Sequence, residues 1–133
     1  MKNSEEYVCA LLLGEYRNDR GMVREVFCQS GWKLCEVGDA GEALECARRN
    51  RVHVVIAEGA GWERLLDDLR QLPQPPQLVV TSRTADDYLW SEVLNHGGFD
   101  VLPQPFDREE LQRVVAAAGR SASFAGPRAA AVR

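Results

Sequence analysis

A doubly wound α/β domain is the fold class that this sequence predicts, from the order of its apolar segments. Five short apolar runs recur along the 133 residues, each closed by a polar or glycine-containing stretch. Each run is followed by a segment whose apolar residues stand three and four apart, the spacing that places them on one helical face. Strand and helix alternating in this way imply a parallel sheet covered on both faces, not a sandwich or a bundle. Val54-Val55-Ile56 and Leu78-Val79-Val80 best fit the continuous apolar character expected of strands that have no solvent-facing side.

The first run is Tyr7 to Leu13, and Val23, Val26 and Phe27 mark the helical face after it. The second is Lys33 to Val37. The third, Val52 to Ala57, contains Val54-Val55-Ile56 and has Glu58 at its end, with Leu65, Leu66 and Leu69 on the helix that follows. Leu72-Pro73-Gln74-Pro75-Pro76 reads as a rigid connection inside the domain, because proline fixes φ. Gln77 to Thr81 is the fourth run, and the fourth predicted helix carries Tyr88 and Trp90. Asp100 to Leu102 is the fifth, and Leu111, Val114, Val115 and Ala118 line the last helix. From Ser121 the periodicity stops and Gly126-Pro127 intervenes, so residues 1–120 are expected to form the domain and 121–133 a flexible tail.

A chain of this length supports one well-buried core and is too short for two domains of usual size. Its net charge is −4, with basic and acidic residues interspersed, so nucleic-acid binding has no electrostatic footprint. No apolar run approaches the roughly 20 residues that span a bilayer, and Met1 to Glu6 contains no signal-peptide core, so no membrane association and a cytoplasmic location are expected. The four cysteines, Cys9, Cys28, Cys35 and Cys46, form no CxxC pair and are expected to be small buried hydrophobes in a reducing compartment. His53 and His96 stand in different parts of the pattern, so no zinc site is expected.

In an open parallel sheet, sites form outside the carboxyl ends of the strands near the switch in strand order. That rule selects Gly14 and Glu15, Glu58 to Gly61, Thr81 and Ser82, and Pro103-Gln104-Pro105. With these positions in view, the segment Gly97-Gly98-Phe99-Asp100-Val101-Leu102-Pro103-Gln104-Pro105-Phe106-Asp107, followed by Glu110-Leu111, resembles the Gly-Ala-x-x-x-Leu-x-Lys-Pro-Phe segment of the CheY-like receiver domains of two-component response regulators. Gly31-Trp32, Asp39 to Leu44 and Val79-Val80-Thr81-Ser82 support the likeness, which covers residues 6 to 120. It implies a flavodoxin-like (βα)5 fold with a five-stranded parallel sheet in the order 2-1-3-4-5.

The resemblance also implies a chemistry from which this chain departs. Receivers hold Mg²⁺ with an acidic pair after the first strand and take a phosphoryl group on an aspartate after the third. A Thr or Ser after the fourth strand and a Lys after the fifth bond the phosphoryl oxygens. Here the acidic pair becomes Gly14-Glu15, the phosphoacceptor-equivalent position is Glu58, and the lysine-equivalent is Gln104, followed by Pro105. Only the switch hydroxyl, Thr81, matches, and the loop after Glu58 is shorter than the family's. Losing one acid and lengthening two others misplaces ligands for an ion that demands near-octahedral geometry, so Glu15 and Glu58 make at most a weak cation site. Gln104 supplies a dipole where phosphoryl transfer calls for a cation.

Glu58 is open to three readings at this level. It can be a solvated loop carboxylate, a partial phosphoryl mimic reaching toward Thr81, or a remnant of Mg²⁺ or phosphate chemistry. Arg17 or Arg83 could swing over Glu15 and Glu58 and replace both ion and lysine. Val101 matches the position where conventional receivers carry a switching aromatic in the fifth strand. Together with Tyr88 and Trp90 it marks the expected interface.

The expected function is a stand-alone pseudo-receiver: a non-enzymatic signalling module acting through a protein partner, without aspartyl phosphorylation and without a cofactor. The partner class is a histidine kinase or an output protein, with a homodimer through the fourth helix, fifth strand and fifth helix as a further expectation. The alternative is a working phosphoacceptor receiver with a remodelled Mg²⁺ site. A small-molecule binder is disfavoured, because no Gly-x-Gly-x-x-Gly loop is present.

Overall fold

Alternation along the strands decides how this chain is layered. The computed structural model describes residues 7–132, with side chains as far as Ala122. Its strands are β1 (Cys9–Leu13), β2 (Lys33–Val37), β3 (Val54–Glu58), β4 (Gln77–Ser82) and β5 (Asp100–Pro103). They alternate with α1 (Arg20–Ser30), α2 (Ala40–Arg49), α3 (Trp62–Leu69), α4 (Asp87–His96) and α5 (Arg108–Val132). All pairings are parallel, in the order β2-β1-β3-β4-β5, which is the expected topology.

Successive side chains of a strand point to opposite faces. Ala10, Leu12, Val54, Ile56, Val79 and Leu102 therefore meet Val23, Val26 and Phe27 of α1 and Leu111, Val114, Val115 and Ala118 of α5. Their neighbours Cys9, Leu11, Val55, Leu78, Val80 and Val101 meet Ala43 of α2, Leu65, Leu66 and Leu69 of α3 and Val93 of α4. This double burial is why β1, β3 and β4 read as unbroken apolar runs. Edge strand β2 is only partly covered, and it is the most polar of the longer runs.

The helices start and stop on local chemistry. Asp39 caps α2 by accepting from Glu42 N at 2.8 Å, and the Glu42 carboxylate accepts from Gly38 N at 2.8 Å. Asp86 caps α4 through Leu89 N at 2.9 Å. Gly31, at φ 74°, ends α1 in the left-handed conformation that glycine adopts without a Cβ penalty.

Helix α5 continues to Val132, through the segment expected to be a flexible tail; its alanines are the best helix formers, and they carry the helix where amphipathic patterning stops. The start of that segment is also packed. Gln77 Nε2 donates to Ser121 Oγ at 3.0 Å, Arg51 Nη2 donates to the Ala122 carbonyl at 3.3 Å, and Ala122 is buried. The cysteines are all free, but only Cys9 is buried; Cys35 and Cys46 are half-buried, and Cys28 is exposed on the face of α1 turned from the sheet. Residues 1–6 and Arg133 lie outside the described residues, and with them the reading of the N-terminus. No described helix is long and apolar enough to cross a membrane.

Candidate functional site

Glu58 is the last residue of β3 and pairs in the ladder with Thr81, the fifth residue of β4. Parallel strands end together at the sheet's carboxyl edge, so the β1–α1, β3–α3, β4–α4 and β5–α5 loops converge there. Both oxygens of the Glu58 carboxylate are occupied by protein donors. Oε1 accepts from Glu15 N at 3.0 Å and Tyr16 N at 3.4 Å, and Oε2 accepts from Gln104 Nε2 at 3.0 Å. Gln104 is buried and precedes Pro105 through a cis peptide bond. Partial burial pushes the Glu58 carboxyl up. The hydrogen bonds from Gln104 and the two backbone N–H groups, with the Arg83 charge, outweigh that push and hold it below the ordinary value of 4.5.

Gly14 makes room for this arrangement. Its φ is +138°, and a Cβ there would lie 2.7 Å from Glu58 Cβ and 2.8 Å from both Glu58 Oε1 and the Tyr16 ring. The position that carries an acid in the family's pattern is therefore filled by the Glu58 side chain itself. Glu15 contributes its backbone N–H only; its carboxylate is exposed and pairs with Arg17 at 3.3 Å. That corrects the expectation of Glu15 as a pocket acid and removes Arg17 as a cover for Glu58. Arg83 acts on Glu58 through its charge alone, with no hydrogen bond between them.

Thr81 also departs from expectation. Its hydroxyl is fully buried and shares a hydrogen bond with Tyr16 OH at 2.9 Å, with the Ala57 carbonyl 3.5 Å away. Glu58 turns to the β1–α1 loop and Gln104, so the reading in which its carboxylate reaches Thr81 is not what the chain adopts.

Tyr16 was missed in the sequence because it stands in a polar loop among Glu15, Arg17 and Asn18. Nevertheless it is fully buried at φ 47°, with its ring 5.8 Å from that of Phe106. Its carbonyl accepts from Asp19 N at 3.2 Å and Arg20 N at 3.0 Å. Arg20 was missed as well. It bonds the carbonyls of Gly14 and Glu15 and pairs with Glu36, which Arg24 grips with two bonds of 2.8 and 2.9 Å. Those Arg24 bonds, with Arg20 adding to them against some desolvation, pull the Glu36 carboxyl down to about 2. Nothing local in the sequence links Arg20 to Glu36; only the β1–β2 pairing does.

A Mg²⁺ ion needs several oxygen ligands at short, near-octahedral positions. The donor set here does not fit it. Gly14 has no ligand and no room for one, Glu15 faces Arg17, and both Glu58 oxygens already accept N–H groups. Among the described residues no group of three or more His, Cys, Asp or Glu side chains could hold a metal ion. Two buried oxygens, Gln104 Oε1 and Asp19 Oδ2, have no protein partner.

The expected interface residues divide. Tyr88 and Trp90 stand out from α4 at 73% and 49% exposure, and Leu94 joins them at 48%. Val101 does not belong with them: it is buried in the core beneath α4, at 6% exposure, because its β5 position faces the helix layer. It only floors a groove of about 220 Å³ walled by Trp90, Pro103, Asp86, Asp87 and Glu110. Trp90 Nε1 donates to Asp100 Oδ1 at 3.0 Å, which fixes that wall. Trp62 begins α3 after the three-residue turn Gly59-Ala60-Gly61 and is buried beside two cavities that flank this turn.

No family model matches the chain. It is 33% identical over 94 residues, 68% of its length, to the probable transcriptional regulatory protein TcrX of Mycobacterium tuberculosis, and it spans 40% of the length of that curated relative. Among solved structures it superposes on the chemotaxis response regulator CheY4 of Vibrio cholerae with a TM-score of 0.69 at 20% identity, covering 81% of this chain and 98% of that one. An atypical orphan response regulator, whose structure is described as revealing a phosphorylation-independent regulatory mechanism, superposes with a TM-score of 0.75 at 11% identity, covering 85% and 96%. By strand order, helix placement and these superpositions, the chain has the CheY-like receiver-domain fold of response regulators, in a divergent form.

Proposed function

We propose that this chain is a signal-transduction module that works through protein–protein contact, independently of aspartyl phosphorylation. The occupation of Glu58 carries the reading. An acyl phosphate forms only if a carboxylate oxygen is free to attack in line and charge on the transferring group is neutralised. Here both oxygens are held by N–H donors, the lysine-equivalent is the neutral Gln104, and the metal ligands are missing. On this reading the module is non-enzymatic and works without a cofactor.

Contact is made through α4 and the neighbouring β5 and α5 surface, where Trp90 walls the acidic groove and Tyr88 projects from another side of the helix. Large aromatic side chains of this kind supply much of the binding energy at protein interfaces. The partner is a histidine kinase, an output protein or a second copy of this chain, in the cytoplasm. The phosphorylation-independent mechanism described for the atypical orphan regulator is a precedent on the same fold.

The deciding experiment exposes the purified protein to Mg²⁺ with acetyl phosphate or beryllofluoride and follows intact mass and tryptophan emission. Trp62, beside both cavities, reports changes at the edge. Neither mass nor emission is expected to change at millimolar concentrations. A saturable Mg²⁺-dependent response abolished by Glu58→Ala would overturn the reading in favour of a working phosphoacceptor.

A further inference from the structure

Two fully buried side chains, Tyr16 from the β1–α1 loop and Thr81 near the end of β4, share a hydrogen bond of 2.9 Å between their hydroxyls. We infer that Tyr16 is an internal latch: its phenol occupies the Thr81 hydroxyl and so holds the β4–α4 loop, and the α4 face beyond it, in one position without a phosphoryl group.

Geometry supports each link. Tyr16 is a rigid support, because its backbone is fixed by Glu58 Oε1 on its N–H and by the N–H groups of Asp19 and Arg20 on its carbonyl. Its ring is buried with the Phe106 ring 5.8 Å away and tilted 33° to it, which leaves the hydroxyl little freedom. A left-handed backbone in a bulky residue is strained and persists only where surrounding contacts impose it. On the other side, Thr81 is followed at once by Ser82, whose hydroxyl accepts from Thr84 N at 3.0 Å and lies 3.2 Å from Thr84 Oγ1. Two residues later Asp86 caps α4. The loop is thus a short, internally bonded unit between Thr81 and the helix that bears Tyr88 and Trp90. The aromatic residue that the family's pattern carries in the fifth strand is Val101 here, whereas the ring of Tyr16 meets Thr81 from the β1–α1 loop.

The latch rests on the reading that no phosphoryl group competes for Thr81, but its test uses no phosphodonor, so the two can fail separately. Amide hydrogen exchange of the whole chain is compared for the wild type, Tyr16→Phe, Thr81→Val and the double variant. Tyr16→Phe removes one oxygen and keeps the ring against Phe106. Loss of the shared hydrogen bond should speed exchange of residues 82–89 about fivefold, with α2 unchanged. Thr81→Val should do the same, and the double variant should go no further. Thr81→Ser, which keeps the hydroxyl, should retain wild-type protection of the loop and guards against a poorly folded valine variant. Unchanged exchange at 82–89 in Tyr16→Phe would overturn the latch, and so would an equal rise in α2, which would mark a general loss of stability.

Discussion

The carboxyl edge around Glu58 and the outer face of α4 are joined by one short loop, Ser82 to Asp86, yet they are built in opposite ways. At the edge, the Glu58 carboxylate is bonded to the Gln104 amide, and the buried Tyr16 and Thr81 hydroxyls are bonded to each other. On α4, Tyr88 and Leu94 are turned outward, and Trp90, though tied to Asp100 by its ring N–H, is half exposed. A single exposed leucine is ordinary, but three large apolar side chains exposed on one helix have a cost in water, with Trp90 and Leu94 toward one side of it and Tyr88 toward another. The difference teaches that the polar, reactive part of the fold can be closed by hydrogen bonding while its adhesive part is kept, because the two draw on separate residues.

The comparison is broken most severely by forcing the edge open. Gly14→Asp restores an acid of the family's pattern but places Cβ where Glu58 and the Tyr16 ring already lie, at a φ that only glycine adopts easily. Strain and overpacking together should cost about 3 kcal/mol, read as a lower urea midpoint with an unchanged slope. Glu58→Ala is milder. It leaves Gln104 Nε2 and the N–H groups of Glu15 and Tyr16 without their acceptor and should cost about 2 kcal/mol. If Glu58→Ala were neutral, the carboxylate would be a solvated loop acid after all, and the edge would not be closed by it.

Sequence reading reached the layering of the fold because burial on both faces leaves a mark in consecutive residues of β3 and β4, Val54 to Ala57 and Leu78 to Val80. It placed Glu58, Thr81 and Gln104 together because parallel strands must end at one edge. It failed where contacts join residues with no periodic relation. Tyr16 lies in a polar loop, and its burial depends on Phe106 and Thr81, far along the chain. Arg20 finds Glu36 only through strand pairing. Val101 was taken for a surface residue because its assigned role came from the family's pattern, whereas its burial follows from the two-residue period of β5. The alanines after Ser121 carry no apolar stripe, so they looked irregular although their helix propensity is high.

Acid titration sharpens the comparison on the edge's own flank. Glu36 and Glu58 are both held below the ordinary value of 4.5 in the folded protein, so their contribution to stability is complete above that pH and is lost as pH falls. For Glu36 the loss falls between 4.5 and about 2. Its carboxylate is partly exposed, so screening by solvent limits the contribution to about 1 kcal/mol. Glu36→Gln should lower stability by that amount at neutral pH and flatten the decline below pH 4.5, as measured by urea unfolding at a series of pH values. An unaltered acid slope would mean that Arg20 and Arg24 anchor the loop without using that charge.

The smallest effect is expected on the other side of the comparison. Tyr88 is 73% exposed and no hydrogen bond of its side chain holds it to the domain, so Tyr88→Ser should change stability by no more than about 0.5 kcal/mol. The same change removes a large aromatic from the α4 surface, and self-association or partner binding through that surface should weaken. Sedimentation at increasing protein concentration checks the first, with Glu58→Ala as the contrasting variant. If Tyr88→Ser destabilised the domain as much as Glu58→Ala does, α4 would be part of the packed structure and not a face waiting to be covered. The reverse pattern, with stability kept and association lost, assigns the two regions their separate roles: one closes the fold, and the other meets a partner.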